Sequence, residues 1–113
     1  MTIVINDILE ILEDDMVSHG LIAQYLKQLN TDALPIEELI KDALKRLLLS
    51  GNIEIGIAKM KMPDYLEFVA WNGTVDEKVS RALNAVANIN EPDKEFAYWL
   101  CLKENVDRYE GHR

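Results

Sequence analysis

The sequence predicts a single α+β domain: three helices, a β-hairpin, then an additional helix and a third antiparallel strand. Three observations carry this. Apolar residues recur at helical spacing in Ile3 to Leu12, Leu21 to Leu29 and Ile36 to Leu49. Alternating apolar residues follow in Asn52 to Ile57 and Tyr65 to Trp71. A Lys-Met-Lys-Met tip separates those two strands. Helix-helix-helix-strand-wing-strand is the winged-helix order, a module that grips DNA with its third helix and wing.

Each element has its own signals. In helix 1, Ile5, Ile8, Leu9 and Leu12 form one apolar face. Glu13-Asp14-Asp15 then opens a loop, because anions are disfavoured at a helix C-terminus. Ser18 is a suitable N-cap for helix 2, with Val17 and Ile22 as a hydrophobic staple and Leu21, Ile22, Tyr25, Leu26 and Leu29 as its buried face. Asn30 to Leu34 is a polar connection. Helix 3 opens at Pro35, carries Glu37 and Glu38 in its first turn, and points Ile36, Leu39, Ile40, Ala43, Leu44 and Leu47 inward. Gly51 is its left-handed cap residue.

Ile53, Ile55 and Ile57 alternate with Glu54 and Gly56 in the first strand, and Lys59 to Asp64 form the wing. The second strand is apolar on both faces, so something must cover the second one. The expected cover is a fourth helix, begun by a Thr74–Glu77 capping box and lined by Val75, Val79, Ala82, Leu83 and Val86. Asn90-Glu91-Pro92-Asp93 ends it, and Phe96 to Leu102 reads as the third strand. Residues 104–113 read as a polar tail within the single domain 1–113.

The chain resembles a family of small, acidic bacterial proteins with a winged-helix-like fold and no established activity. The resemblance is carried by Met16-Val17-Ser18-His19-Gly20, by Leu47 to Glu54, by Phe68 to Gly73 with its Trp71-Asn72-Gly73 turn, and by Glu91-Pro92-Asp93. These motifs are structural punctuation. The resemblance implies a fold and transfers no catalytic residue.

Composition bounds the function. A 113-residue chain with 49% hydrophobic residues supports one core. No apolar run approaches the ~20 residues that span a bilayer. Met1-Thr2-Ile3 has no basic signal-peptide start, and a single cysteine fits a reducing compartment, so a cytoplasmic protein with no membrane association is expected. Twenty acidic residues against 12 basic give a net charge of −8. Residues 1–32 carry −5, residues 33–62 carry +1 and residues 63–113 carry −4. Only the segment holding helix 3 and the wing is not negative.

Catalytic chemistry has little to work with. The two histidines are not at metal-ligand spacing, and His19 reads as a surface residue near a helix start. Cys101 lies in an apolar strand, the setting of a buried structural thiol. The five glycines are isolated, so there is no phosphate loop. No enzyme, cofactor or metal is expected.

Binding surfaces remain. Glu10, Glu13, Asp14 and Asp15 form the densest acidic cluster, with Glu10 and Glu13 expected on one helix face. Met60 and Met62 are adaptable contact residues at the tip. Together they are the candidate surface for a basic protein partner, as in an immunity or antitoxin-type protein. The alternative is a transcriptional regulator, dimeric in one version, that contacts DNA through Lys41, Lys45, Arg46, Lys59 and Lys61. On helix 3, Glu37–Lys41 and Asp42–Arg46 stand at i,i+4 spacing, and such pairing would leave the face close to neutral.

Overall fold

The computed structural model describes residues 2–28, 35–61, 65–89 and 96–109. The elements run α1 (Thr2–Leu12), β1 (Val17–Ser18), α2 (His19–Lys27), α3 (Ile36–Leu49), β2 (Ile53–Lys61), β3 (Tyr65–Ala70), α4 (Val75–Asn88) and β4 (Trp99–Leu102). A 3-10 helix over Lys103–Tyr109 follows. The fold is α+β: the described residues form four α-helices and one four-stranded antiparallel sheet of order β1-β4-β2-β3.

The helices follow their patterns closely. α1 buries Val4, Ile8 and Leu12, with Ile5 and Leu9 half-buried beside them. α2 begins at His19, directly after the expected N-cap Ser18. Ser18 takes the extended N-cap conformation but makes no side-chain cap bond. Val17 and Ile22 are both fully buried. α3 buries Leu39, Ile40, Ala43, Leu44, Leu47 and Leu48, and Pro35 stands at its N-cap rather than inside its first turn. Gly51 has φ +84°, and its N–H donates to the Leu48 carbonyl at 3.2 Å, closing the helix. The Thr74–Glu77 capping box on α4 is complete. The Glu77 N–H donates to Thr74 Oγ1 at 3.1 Å, and the Thr74 N–H donates to Glu77 Oε1 at 2.9 Å.

The sheet departs from the sequence reading in three ways. It has a strand more than expected, because two-residue β1 pairs Val17 with Leu100 and Ser18 with Trp99. So short a strand leaves no alternation to read. β4 is four residues, shorter than Phe96 to Leu102, and inserts between β1 and β2. β2 runs on to Lys61, pairing Lys59 with Glu67 and Lys61 with Tyr65. Lys59, Met60 and Lys61 are therefore strand residues, not loop-tip residues. Met62, Pro63 and Asp64 lie outside the described residues, as do 29–34, 90–95 and 110–113.

Each face of the sheet is covered by a different part of the chain. Ile53, Ile55 and Leu100 face the helices and join the main core with Ile8, Leu12, Ile22, Leu44, Leu47, Trp71 and Val79. Phe68 and Cys101 face the other way, where they pack with Met16 and half-buried Val106. That second cover includes the C-terminal 3-10 helix, not α4 as expected; α4 packs on the main core beside α3. Residues 103–109 thus depart from the expected polar tail. Asn105 is buried there, and its Nδ2 donates to the Leu12 and Glu13 carbonyls at 3.2 and 3.3 Å. Those are carbonyls the end of α1 leaves open.

Candidate functional site

Two concavities and one basic helix flank hold some of the candidate residues. The first concavity is an open cleft of about 460 Å³ where α1 meets α2, lined by Asp7, Glu10, Ile11, Asp14 and Tyr25. Asp7, Glu10 and Asp14 follow a 3-then-4 spacing, which brings them to one side of α1 and its C-terminal turn. Ile11 and Tyr25, both half-buried, supply an apolar wall. Of the acids singled out in the sequence, Glu10 and Asp14 line this cleft. Glu13, in the turn that follows α1, is not among the residues that line it. Asp15 is occupied locally: its Oδ1 accepts from the Met16 N–H at 2.7 Å. Asp7, Ile11 and Tyr25 were missed by sequence reasoning. The spacing of Asp7, Glu10 and Asp14 is the signal that finds the first of them.

The second concavity is smaller and more enclosed, about 240 Å³, between the start of α2, the first half of α3 and the end of α4. Its buried base is His19 and Ile40. Leu83, Val86 and Ala87 form the α4 wall, and Glu37, Glu38 and Lys41 the α3 side. His19 is not the expected surface residue: only 7% of it is exposed. Its N–H donates to the Tyr98 carbonyl, and its Nδ1 shares a 2.9 Å hydrogen bond with the Tyr98 hydroxyl. β1 leads directly into α2, so the first helical residue is delivered against β4, where Tyr98 waits. Burial raises the Tyr98 hydroxyl well above its ordinary pKa, so it stays protonated.

The basic residues of α3 are partly committed. Arg46 Nε lies 3.1 Å from Asp42, the expected i,i+4 pair. Lys45 reaches across to Asp76 of α4 at 3.5 Å. The expected Glu37–Lys41 pair does not form among the described residues, and Lys41 sits at the edge of the smaller cavity instead. α4 runs back along the flank of α3 that carries Lys41 and Lys45, its start near Lys45 and its end near Lys41. Lys59 is exposed on β2. The side chains of Met60 and Lys61 lie outside the described residues, as does Met62.

Cys101 is fully buried, as its apolar strand predicts, and its Sγ donates to the Leu102 carbonyl at 3.4 Å. Trp71 is also buried. The Arg81 guanidinium lies over its ring, 4.5 Å from the centroid. Among the described residues no three His, Cys, Asp or Glu side chains group to hold a metal ion. None of the described helices is long and apolar enough to cross a membrane. Comparison with family models, with curated proteins and with solved structures found no match.

Proposed function

We propose that the chain is a non-enzymatic, acidic protein-binding module that receives a basic partner on its α1 face. The observation that carries this reading is the α1–α2 cleft. Three carboxylates converge there on an apolar wall that includes Tyr25, the combination that takes an arginine or lysine with its aliphatic stem. A net charge of −8 steers such a partner toward the protein and repels nucleic acid. An immunity or antitoxin-type protein, covering a basic toxin in the cytoplasm, is the concrete form of this proposal.

The helix order with its hairpin supports a winged-helix-like description, and with it a second reading as a DNA-binding regulator. Two observations disfavour that reading. Lys45 and Arg46 already pair with Asp76 and Asp42. α4 lies along the flank of α3 that carries Lys41 and Lys45.

Amide shifts on titration with a lysine-rich peptide test the first reading. Shifts should concentrate at Asp7, Glu10, Ile11, Asp14 and Tyr25. They should vanish in the combined Asp7→Asn, Glu10→Gln, Asp14→Asn variant. Shifts spread evenly over all acidic residues would sink it. A mobility-shift assay over a salt series tests the second. Salt-sensitive duplex binding, lost when Lys41, Lys45 and Arg46 are replaced by Ala, would establish DNA contact.

A further inference from the structure

We infer that the cavity between α2, α3 and α4 is a binding site for an aliphatic ammonium group: a primary amine carried on a short unbranched alkyl chain. This stands independently of the cleft on α1. The cavity, at about 240 Å³, falls below the ~300–1,000 Å³ of pockets that take drug-sized ligands, so its occupant is one small molecule or one side chain.

Its chemistry is divided. Ile40, Leu83 and Val86 offer hydrocarbon, the complement of an alkyl chain. Glu37 and Glu38 set two carboxylates on the α3 side against the one ammonium of Lys41. The local excess is negative, and the net charge of −8 has the same sign. An anion meets both unfavourably, and an uncharged alcohol gains nothing from either.

The base of the cavity is preformed. His19 is held by its ring and its backbone to Tyr98, so a ligand need not order that wall as it enters. Neither carboxylate takes part in an ion pair with another described residue, so neither has to release a partner first.

The test is a titration of the labelled protein with n-butylamine at neutral pH, followed by methyl and amide shifts. Butyrate and butan-1-ol are run in parallel. Saturable shifts at Ile40, Leu83, Val86 and Ala87 with the amine alone support the site. Glu37→Gln and Glu38→Gln, both at exposed positions, should each weaken the amine roughly two- to fivefold, the scale of a surface charge contact. Ala87→Phe fills the cavity from an exposed position and should abolish binding. Absence of saturable shifts, equal binding of butyrate or butan-1-ol, or undiminished binding in Ala87→Phe overturns the inference. Nα-acetyl-lysine N-methylamide distinguishes the source. Binding comparable to the amine assigns the site to a lysine side chain of a partner, and binding of the free amine alone assigns it to a small-molecule amine.

Discussion

His19 and Tyr98, 79 residues apart in sequence, are joined through backbone, side chain and ring. The His19 N–H meets the Tyr98 carbonyl at 3.1 Å, Nδ1 meets the hydroxyl at 2.9 Å, and the rings pack edge to face with centroids 5.1 Å apart. The contact ties the start of α2 to the residue leading into β4. Neither residue type, read alone, distinguishes this pair from surface polar groups.

Tyr98→Phe keeps the ring packing and removes the hydroxyl. It takes from buried His19 the bond at Nδ1, and losing one partner of a buried pair costs about 1–3 kcal/mol. Urea titration should show a lower midpoint with an unchanged slope. A loss within error would mean that solvent reaches His19 in solution.

Alkaline pH should find the same residue. Burial raises the folded Tyr98 pKa above its ordinary value of 10.0, while the unfolded chain ionises there. Its stabilising contribution is fully present below that pH and is lost as pH rises beyond it. Of the four tyrosines, Tyr98 should ionise only as the protein unfolds. Absorbance at alkaline pH, read beside circular dichroism, checks this, with Tyr98→Phe identifying the late component. Ionisation of all four before any loss of helix would contradict it.

The α4 cap should be sensitive to acid. Glu77 accepts from the Thr74 backbone and, in the same box, interacts with its side chain, and these lower its carboxyl pKa below the ordinary 4.5. Its contribution is therefore present above that value and fades as pH falls through the lowered one. Carboxyl carbon shifts should give Glu77 a midpoint below the ordinary 4.5. Thr74→Ala should move that midpoint back up and destabilise the protein by about 1 kcal/mol.

Gly56 should tolerate no side chain. A Cβ placed there would stand 1.9 Å from the Val69 carbonyl oxygen and 2.8 Å from Ala70 Cα, both backbone atoms. β2 is flanked at this residue by Trp99 on one side and Ala70 on the other, so the sheet has no room to spread. Gly56→Ala should destabilise by several kcal/mol, about as much as severe core overpacking. A thermal melt within a few degrees of wild type would show that β3 can shift.

Much of the fold was legible because its elements are periodic or punctuated. α3 and α4 announce their buried faces and their ends through Pro35, Gly51, Thr74 and Glu77. What escaped has no period. Val17–Ser18 is too short to alternate, and its partner lies beyond three helices and a hairpin. Asn105 and Val106 sit in a stretch polar enough to read as solvent, yet one caps α1 and the other packs against the rear of the sheet. The candidate sites were partly legible. Glu10 and Asp14 stood out by charge density, whereas Asp7 and Tyr25 join them only once α2 lies against α1. His19 was misread because its burial depends on β4, which no local window contains.

The placement of β4 sets a timetable for the chain. Among the described residues β1 pairs only with β4, and β4 connects it to β2. Residues 17–18 and 53–56 therefore wait for residues 99–102 before the sheet is continuous. On a ribosome the four helices and the hairpin emerge first, with the place of β4 still open. The strand that fills that place also delivers Tyr98 to His19, and the residues after it bring Asn105 to the end of α1. Because these contacts span most of the sequence, closure carries a large loop entropy. A chain stalled or cut before Trp99 leaves two strand edges bare, the kind of surface that recruits other chains.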